Sequence, residues 1–221
     1  MPKLFAYGCS LTYGQTLRDC VGETIQHGGP QPSKFAWPQL LADKFGLECV
    51  NKSEGGGSNK LALDRLLMTH IKPRDVVIIQ WSYLARWCIF DFNFSDDSEQ
   101  RIDLGPWKKS HPFYKYIWNP IDCLFNNKII IDFAWLHLKQ VGCKFLFSSI
   151  EKGQRSYWVE DDLEYVFHEE SFNYAKFTDK SIKDFQIDKA LDNQHPGHES
   201  HRLYAEYLSN LPLFTELTNT K

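Results

Sequence analysis

Two short polar motifs near opposite ends of the chain contain residue types that together can perform nucleophilic catalysis. Gly8-Cys9-Ser10 follows the first apolar segment, and Asp192 precedes His195 by three residues near the end. A serine hydroxyl needs a base to take its proton at neutral pH, and the imidazole needs a carboxylate to fix its tautomer. Each motif alone is common in turns and helix caps. Their combination is much less common, and it indicates a nucleophile at Gly8-Cys9-Ser10 that is assisted by an imidazole–carboxylate pair at His195 and Asp192.

Cys9 is a second candidate nucleophile beside Ser10. A thiolate is intrinsically the stronger nucleophile, but it needs a pKa lowered by a nearby cation or a helix N-terminus. Adjacent residues that leave a strand point in opposite directions, so only one of the two can face His195. The residues alone leave both candidates open.

Alternating strand and helix patterns must position these motifs. The predicted elements, in chain order, are strand 3–7, helix 37–46, strand 47–51, helix 58–71, strand 75–81, helix 126–142, strand 143–149 and helix 198–211. The unbroken apolar run of 75–81 is typical of a central strand that is buried on both faces. The alternation predicts an α/β fold, in which a parallel sheet lies between two layers of helices.

Such a sheet binds ligands beyond the carboxyl ends of its strands, which is where Ser10 follows the first strand. Two stretches, 83–124 and 151–191, do not fit the alternation and are rich in aromatic and charged residues. We predict that they are loop insertions over the sheet of a single domain spanning 1–221.

The composition of the 221 residues argues against several classes of protein. The net charge is −3 with no block of like charges, which argues against nucleic acid as a partner. No apolar run reaches the roughly 18 residues that span a membrane. The six cysteines contain no Cys-x-x-Cys pair, which argues against zinc, and no secretion signal accompanies them. These features predict a cytoplasmic protein with reduced thiols.

The two motifs and their order resemble the SGNH or GDSL-type hydrolases, a family of esterases, lipases and carbohydrate deacetylases. Gly8-Cys9-Ser10 is similar to the Gly-Asp-Ser motif after the family's first strand, and Asp192 and His195 match its Asp-x-x-His before the last helix. The resemblance implies a flavodoxin-like three-layer α/β/α sandwich and favours Ser10 as the nucleophile. It also implies a small-molecule or carbohydrate ester as substrate, with no metal or other cofactor.

The same resemblance implies an oxyanion hole made by the backbone N–H groups of Ser10 and Gly56. The family's third donor is an Asn after the third strand, but that place here reads Gln-Trp-Ser and ends at Ser82. Either the Ser82 hydroxyl or the side chain of Asn59 is expected to replace it. Gly-Cys-Ser, Gly-x-Ser-Asn and Gln-Trp-Ser with a downstream Arg86 are similar to a subgroup from marine phages and bacteria.

Trp81, at the end of the third strand, and Arg86, shortly after it, are candidates for substrate binding. Arg86 is expected on the active-site side, either as a clamp for a carboxylate or phosphate or in a salt bridge with an acidic side chain. Trp81 is expected to form a wall of the site or to pack beside it. The absent Asn also supports a rival function, a catalytically silent module that binds a glycan or a protein partner.

Other patterns point elsewhere but are weaker. Gly-Gly-Gly-Ser-Asn-Lys at 55–60 precedes a helix, yet it lacks the Gly-Lys-Ser/Thr ending of a phosphate-binding loop. His195, His198 and His201 have a spacing that could hold a metal, but we interpret the last two as solvated helix residues. The remaining candidates for substrate contact are two histidines of the insertions, His111 and His168.

Overall fold

The computed structural model describes residues 1–24, 28–91, 100–108, 110–150 and 177–218. Within these ranges the strands are β1 (Lys3–Tyr7), β2 (Glu48–Asn51), β3 (Val76–Trp81), β4 (Trp87–Asp91), β5 (Gln100–Leu104) and β6 (Lys144–Ser149). The α-helices are α1 (Ser10–Tyr13), α2 (Trp37–Phe45), α3 (Asn59–Leu67), α4 (Pro120–Val141), α5 (His198–Ser209) and α6 (Pro212–Thr218).

A parallel sheet with the strand order β2-β1-β3-β6 lies at the centre of the molecule. All six residues of β3 are buried, as expected of a strand that is covered on both faces. β1 and β3 pair in register, with Tyr7 beside Ile79. Ser10 and Ser82 each follow three positions later, so both leave the sheet at the same carboxyl edge.

Two apolar clusters cover the two faces of the sheet. Leu4, Ala6 and Ile78 face one side, where α2, α5 and α6 contribute Trp37, Leu41, Tyr204, Leu208 and Phe214. Phe5, Tyr7, Val77 and Ile79 face the other side, where α3 and α4 contribute Leu66, Ile131, Ala134 and Leu138. The alternation along β1 and β3 follows the period of two in a strand. The predicted three-layer α/β arrangement is confirmed.

The first predicted insertion is more ordered than a loop. It contains the antiparallel pair β4–β5 and short helical turns at Pro106–Lys108 and Phe113–Ile117. Helix α4 begins at Pro120, six residues before the predicted start at 126, because Asn119 caps it by accepting the N–H groups of Ile121 and Asp122. Of the second insertion, residues 151–176 lie outside the described ranges.

The short helix α1 was not predicted, since its four residues are too few for a periodic pattern. Helix α3 ends at Leu67, whereas the prediction extended to 71. No helix in the described ranges is long and apolar enough to cross a membrane.

Candidate active site

A cavity of about 730 Å³ opens at the carboxyl edge of the sheet. Ser10 lines it from the turn after β1, Gly56 from the loop after β2, and Arg86 from the turn after β3. Asp192 and His195 line it from the loop before α5. The structure therefore brings Ser10 into the same cavity as Asp192 and His195, which lie more than 180 positions later in the chain.

His195 and Asp192 form a directed pair. His195 Nδ1 lies 2.5 Å from Asp192 Oδ2, while Asp192 Oδ1 accepts the backbone N–H groups of Gln194 and His195, each at 3.0 Å. Burial by itself would raise the pKa of Asp192, but these hydrogen bonds outweigh it and hold the pKa below its usual value. With Nδ1–H donated to the carboxylate, His195 keeps Nε2 free to act as a base.

Backbone hydrogen bonds hold the loop that carries this pair. Ala190 donates its N–H to the carbonyl of His195 at 2.9 Å, and Leu191 donates to the carbonyl of Thr16 at 3.1 Å. Asn193 adopts a left-handed conformation, with φ at 58°, at the tip of the loop. The loop is thus attached to the segment after α1, close to Ser10.

Asp188 anchors the other end of the loop at the start of α5. Its carboxylate accepts the N–H groups of Glu199 at 3.0 Å and Ser200 at 2.8 Å. A side chain at Gly197 would overlap this carboxylate, so glycine is required there. Asp188 was not predicted from the sequence, because it lies ten residues before the helix that it caps.

Ser10 faces the cavity while its neighbour Cys9 faces the core. Cys9 is fully buried and belongs to the cluster that contains Ala6 and Trp37. Gly8 allows the sharp turn, since a Cβ at that position would overlap Thr12 Oγ1 and approach the Gln80 carbonyl to 3.0 Å. The geometry favours Ser10 over Cys9 as the group that a ligand in the cavity would meet.

A buried polar chain fixes the Ser10 turn to the sheet. Thr12 Oγ1 donates to Gln80 Oε1 at 2.9 Å, and Gln80 Nε2 makes a long contact of 3.5 Å with the Tyr204 hydroxyl. Tyr204 donates to Ser148 Oγ at 2.8 Å, and burial raises its pKa to about 12. This chain explains why the apolar strand β3 contains a glutamine near its end.

The glycine-rich loop after β2 lies beside the same turn. Gly56 has a φ of 74°, which favours glycine, and no described residue accepts its backbone N–H. Glu54 donates its N–H to the carbonyl of Gly8 at 3.3 Å, and Asn51 Nδ2 donates to the carbonyl of Thr12 at 2.9 Å. These bonds hold the loop that contains Gly56 beside the turn that carries Ser10, and both residues line the cavity.

Asn59 does not fit its predicted role as an oxyanion donor. It is buried, and its Nδ2 donates to the Ser82 carbonyl at 3.2 Å and to Asn127 Oδ1 at 2.7 Å. Its Oδ1 accepts the N–H of Ser82 at 2.6 Å. Both amide hydrogens are therefore already used, and Asn59 instead ties the end of β3 to α3 and α4.

The other residues predicted near the end of β3 divide between the core and the cavity. Trp81 is fully buried and packs edge-on against Phe147 at 5.3 Å, so of its two expected roles the structure agrees with packing and not with a wall that contacts substrate. Ser82 is buried outside the cavity lining, and its Oγ accepts a hydrogen bond from Arg86 Nη1 at 3.1 Å. Arg86 lies in the cavity wall as predicted.

The two histidines of α5 differ in exposure: His201 is not solvated, contrary to the prediction, whereas His198 is partly exposed. His201 is fully buried, accepts the backbone N–H of Trp37 at 3.1 Å, and has a pKa lowered to about 3 by burial. His198 packs edge-on against Phe35, and burial, followed by the charge of Arg18, lowers its pKa as well. No cluster of three His, Cys, Asp or Glu side chains in the described ranges could hold a metal ion.

His111 is not part of the cavity lining; its Nδ1 instead accepts the backbone N–H of Phe113 at 3.2 Å. His168 lies outside the described residues. Several residues that do line the cavity were not predicted from the sequence, notably Tyr13, Gln15, Trp107 and Gln194. The only available signal was the concentration of aromatic residues in the first insertion.

No protein-family model and no curated protein sequence matches this chain. Solved structures do resemble it. One is the psychrotrophic esterase EstA from Pseudoalteromonas sp., inhibited by monoethylphosphonate, with a TM-score of 0.54 and 13% identity over 99% of this chain and 100% of that one. Another is a protein assigned to the G-D-S-L lipolytic family from Desulfitobacterium hafniense, with a TM-score of 0.52 and 15% identity over 95% and 98%.

A third similar structure is a carbohydrate esterase whose active site displays divergent catalytic and non-catalytic binding functions. It has a TM-score of 0.52 and 16% identity, over 99% of this chain and 65% of that one. Identities this low show the fold alone. The chain has the SGNH hydrolase fold, and its structural neighbours are lipolytic proteins and carbohydrate esterases.

Proposed function

We propose that this protein is a serine ester hydrolase with Ser10 as nucleophile, His195 as general base and acid, and Asp192 as the group that orients His195. The observation that carries the proposal is the meeting of Ser10 with the His195–Asp192 pair in one cavity at the carboxyl edge of the sheet. The fold agrees with this assignment, since its structural neighbours include esterases.

In the proposed reaction Ser10 Oγ attacks the ester carbonyl as its proton passes to His195 Nε2. The ionised Asp192 stabilises the imidazolium that forms, and its lowered pKa supports this role. The imidazolium then protonates the leaving alcohol, which leaves an acyl group on Ser10. Water, activated by the same imidazole, hydrolyses the acyl-enzyme and restores the free hydroxyl.

The tetrahedral intermediate requires hydrogen-bond donors for its oxyanion. The backbone N–H groups of Ser10 and Gly56 are proposed for this task, because both residues line the cavity and Gly56 N–H has no acceptor among the described residues. Each such donor is worth about 2.7–4 kcal/mol to the transition state. The Ser82 hydroxyl, one of the two candidates from the sequence for the third donor, is in contact with Arg86 Nη1 instead of lining the cavity.

The cavity suits an ester of a polar alcohol, such as a carbohydrate carrying a small acyl group. Tyr13 and Trp107 line it with aromatic rings, and Trp107 is 55% exposed, so part of its side chain can contact a sugar. Gln15, Glu54 and Gln194 add polar groups that can bind hydroxyls.

Hydrolysis of p-nitrophenyl acetate by the wild type and by Ser10→Ala tests the proposal. Loss of a triad nucleophile lowers kcat by up to about 10⁶-fold, so the variant should fall to the background rate. Ser110→Ala, at an exposed serine, is the matched control and should keep the wild-type rate. Equal rates for the wild type and Ser10→Ala would exclude the hydrolase function.

A second candidate function is a module that binds a glycan in the same cavity without turnover. This alternative is favoured because both amide hydrogens of Asn59 already make internal hydrogen bonds. Asn59 therefore cannot replace the Asn that serves as third oxyanion donor in the hydrolases that this chain resembles. Under this alternative the wild type would show no esterase activity, yet sugars would change the fluorescence of Trp107. A Trp107→Phe variant would lose that change.

A further inference from the structure

Arg86 presents a guanidinium group to the cavity from the turn that follows β3. The backbone N–H of Arg86 closes this turn by donating to the carbonyl of Tyr83 at 3.0 Å. The side chain of Arg86 returns toward the end of β3. There Nη1 donates to Ser82 Oγ at 3.1 Å. Arg86 is therefore hydrogen-bonded to Ser82, the position at which the hydrolases that this chain resembles have the Asn that donates to the oxyanion.

Two aromatic rings confine this guanidinium. Its central carbon lies 4.8 Å from the ring centre of Tyr83 and 5.2 Å from that of Trp107. On the Tyr83 ring a second cation, Lys183 Nζ, lies at 4.4 Å. A cation held between rings loses little further freedom when it binds a ligand, which favours a preorganised role.

The charge of Arg86 has no balancing carboxylate in the described part of the chain, where no ion pair involves it. Its Nε is buried and has no hydrogen-bond partner among the described residues. A guanidinium has five N–H donors, and among the described residues only Ser82 accepts one of them. A partly buried cation with unused donors is suited to an anion that enters the cavity.

Strand register places this cation next to the candidate nucleophile. Tyr7 pairs with Ile79, and Ser10 and Ser82 each follow by three residues on neighbouring strands. Neighbouring strands lie about 4.8 Å apart. The hydrogen bond to Ser82 therefore holds the guanidinium at the end of the strand next to the one that leads to Ser10, and both Arg86 and Ser10 line the cavity.

We propose that Arg86 is a catalytic residue that donates an N–H to the oxyanion formed when Ser10 attacks, and that Ser82 positions it. This inference rests on the proposed esterase function. In the step, the bond between Ser10 Oγ and the carbonyl carbon forms, and the π electrons of the carbonyl move to its oxygen. The serine proton goes to His195, and Arg86 keeps all of its protons throughout. A charged donor gives a stronger bond to the oxyanion than a neutral amide does.

The test compares kcat and KM for the neutral ester p-nitrophenyl acetate in Arg86→Gln, Arg86→Lys and the exposed control Arg74→Gln. Arg86→Gln should lose about 100–1,000-fold in kcat with little change in KM, as for removal of one oxyanion donor. Arg86→Lys should lose less, and Arg74→Gln should match the wild type. In Arg86→Ala, added guanidinium ions should restore part of kcat, a result that a merely structural role would not give.

Ser82 as a positioning residue has its own readout. Ser82→Ala should lower kcat by about tenfold, since it removes one of the groups that hold the guanidinium in place, and Ser82→Thr should recover most of the loss. Thermal unfolding of each variant shows whether it is folded at the assay temperature.

The outcomes separate this inference from the proposed function. If the wild type is active and Ser10→Ala is not, but Arg86→Gln keeps its kcat within about threefold, the role of Arg86 is overturned and the esterase remains. A rise in KM that appears only for an ester bearing a carboxylate, such as mono-p-nitrophenyl succinate, would instead make Arg86 a substrate clamp and also overturn the inference. A wild type no faster than Ser10→Ala would remove the proposed function and this inference with it.

Discussion

The two oxygens of Asp192 have separate partners, and this division accounts for its proposed role. One oxygen meets the imidazole of His195, while the other accepts two backbone N–H groups that hold the carboxylate in place. Because the backbone bonds do not require a negative charge, an amide in the same position should preserve the loop. The orientation of the imidazole, by contrast, depends on the carboxylate as an acceptor for Nδ1–H.

Asp192→Asn is therefore expected to leave the fold intact and to lower kcat by about 10⁴-fold, the effect of the corresponding change in another triad. Steady-state kinetics with p-nitrophenyl acetate measures the loss, and circular dichroism checks the fold. Asp64→Asn, in helix α3, serves as the control and should retain full activity. Turnover close to wild type in Asp192→Asn would mean that the carboxylate only caps the loop.

Asn59 should affect stability rather than catalysis. Asn59→Ala removes three buried hydrogen bonds around the end of β3 and leaves the N–H of Ser82 without its acceptor. We expect a loss of about 1–3 kcal/mol in the free energy of unfolding, and a kcat within about tenfold of wild type at temperatures where the variant is folded. Asn126→Ala, which removes only exposed hydrogen bonds, should have little effect on either quantity. A loss of several hundredfold in kcat without a loss of stability would restore Asn59 as an oxyanion donor.

At this scale the sequence located the candidate residues better than it predicted the surroundings of each side chain. Ser10, Asp192 and His195 could be found because their motifs are short and local. The wrong prediction of a solvated His201 has a different cause. Whether a polar or aromatic residue is buried depends on partners far along the chain, such as the Trp37 N–H on His201, and a single motif does not contain that information.

At the scale of elements, the strand-to-helix turn between β1 and α1 positions the candidate nucleophile. The turn is possible because Gly8 lies against Thr12 and the backbone of β3. The shape of this turn therefore depends both on the lack of a side chain at Gly8 and on the hydrogen bond from Thr12 to Gln80.

Gly8→Ala should displace Thr12 and move Ser10, lowering kcat by more than about tenfold and stability by about 1–3 kcal/mol, as overpacking does. Gly46→Ala is a control with backbone strain but no clash, because its φ is 63° and a Cβ added there would meet no atom within 4 Å. It should cost about 1 kcal/mol in stability and leave kcat unchanged. Equal kcat values for the two variants would show that the turn tolerates a side chain.

The elements of the sheet and its flanking helices were predictable from apolar periodicity, because each buries one face against its neighbours. The start of α4 was misjudged because the Asn119-Pro120 cap lies within a segment with no apolar repeat. The β4–β5 pair was missed for another reason. Its strands are separated by eight residues, without the short turn signal that predicts a hairpin.

At the scale of the whole molecule, the packing of α2 against α5 joins the two ends of the chain. His201 of α5 accepts the first N–H of α2, and this buried contact keeps its imidazole neutral in the folded state. The same packing brings the loop of His195 over the turn of Ser10. The contact should therefore make the stability of the protein sensitive to acid.

Since burial lowers the pKa of His201 to about 3, the unfolded chain binds a proton there below about pH 6.5 while the folded chain does not. Stability should fall as the pH decreases between these values, and this residue should contribute a loss of about 2 kcal/mol from pH 7.5 to pH 5.0. Urea unfolding at both pH values tests this for the wild type and His201→Gln, whose amide oxygen can still accept the Trp37 N–H. The variant should lose less stability on acidification, and the exposed control His70→Gln should behave like the wild type. The same pH dependence in all three proteins would contradict a neutral buried His201.

The most direct measurement is the site of covalent modification by a fluorophosphonate, which reacts with a serine only when a neighbouring base activates it. Peptide mapping by mass spectrometry should find one adduct on Ser10 in the wild type and in Cys9→Ala, and none in Ser10→Ala. An adduct on Cys9, or a wild type that stays unmodified under conditions that label a known serine esterase, would contradict the account.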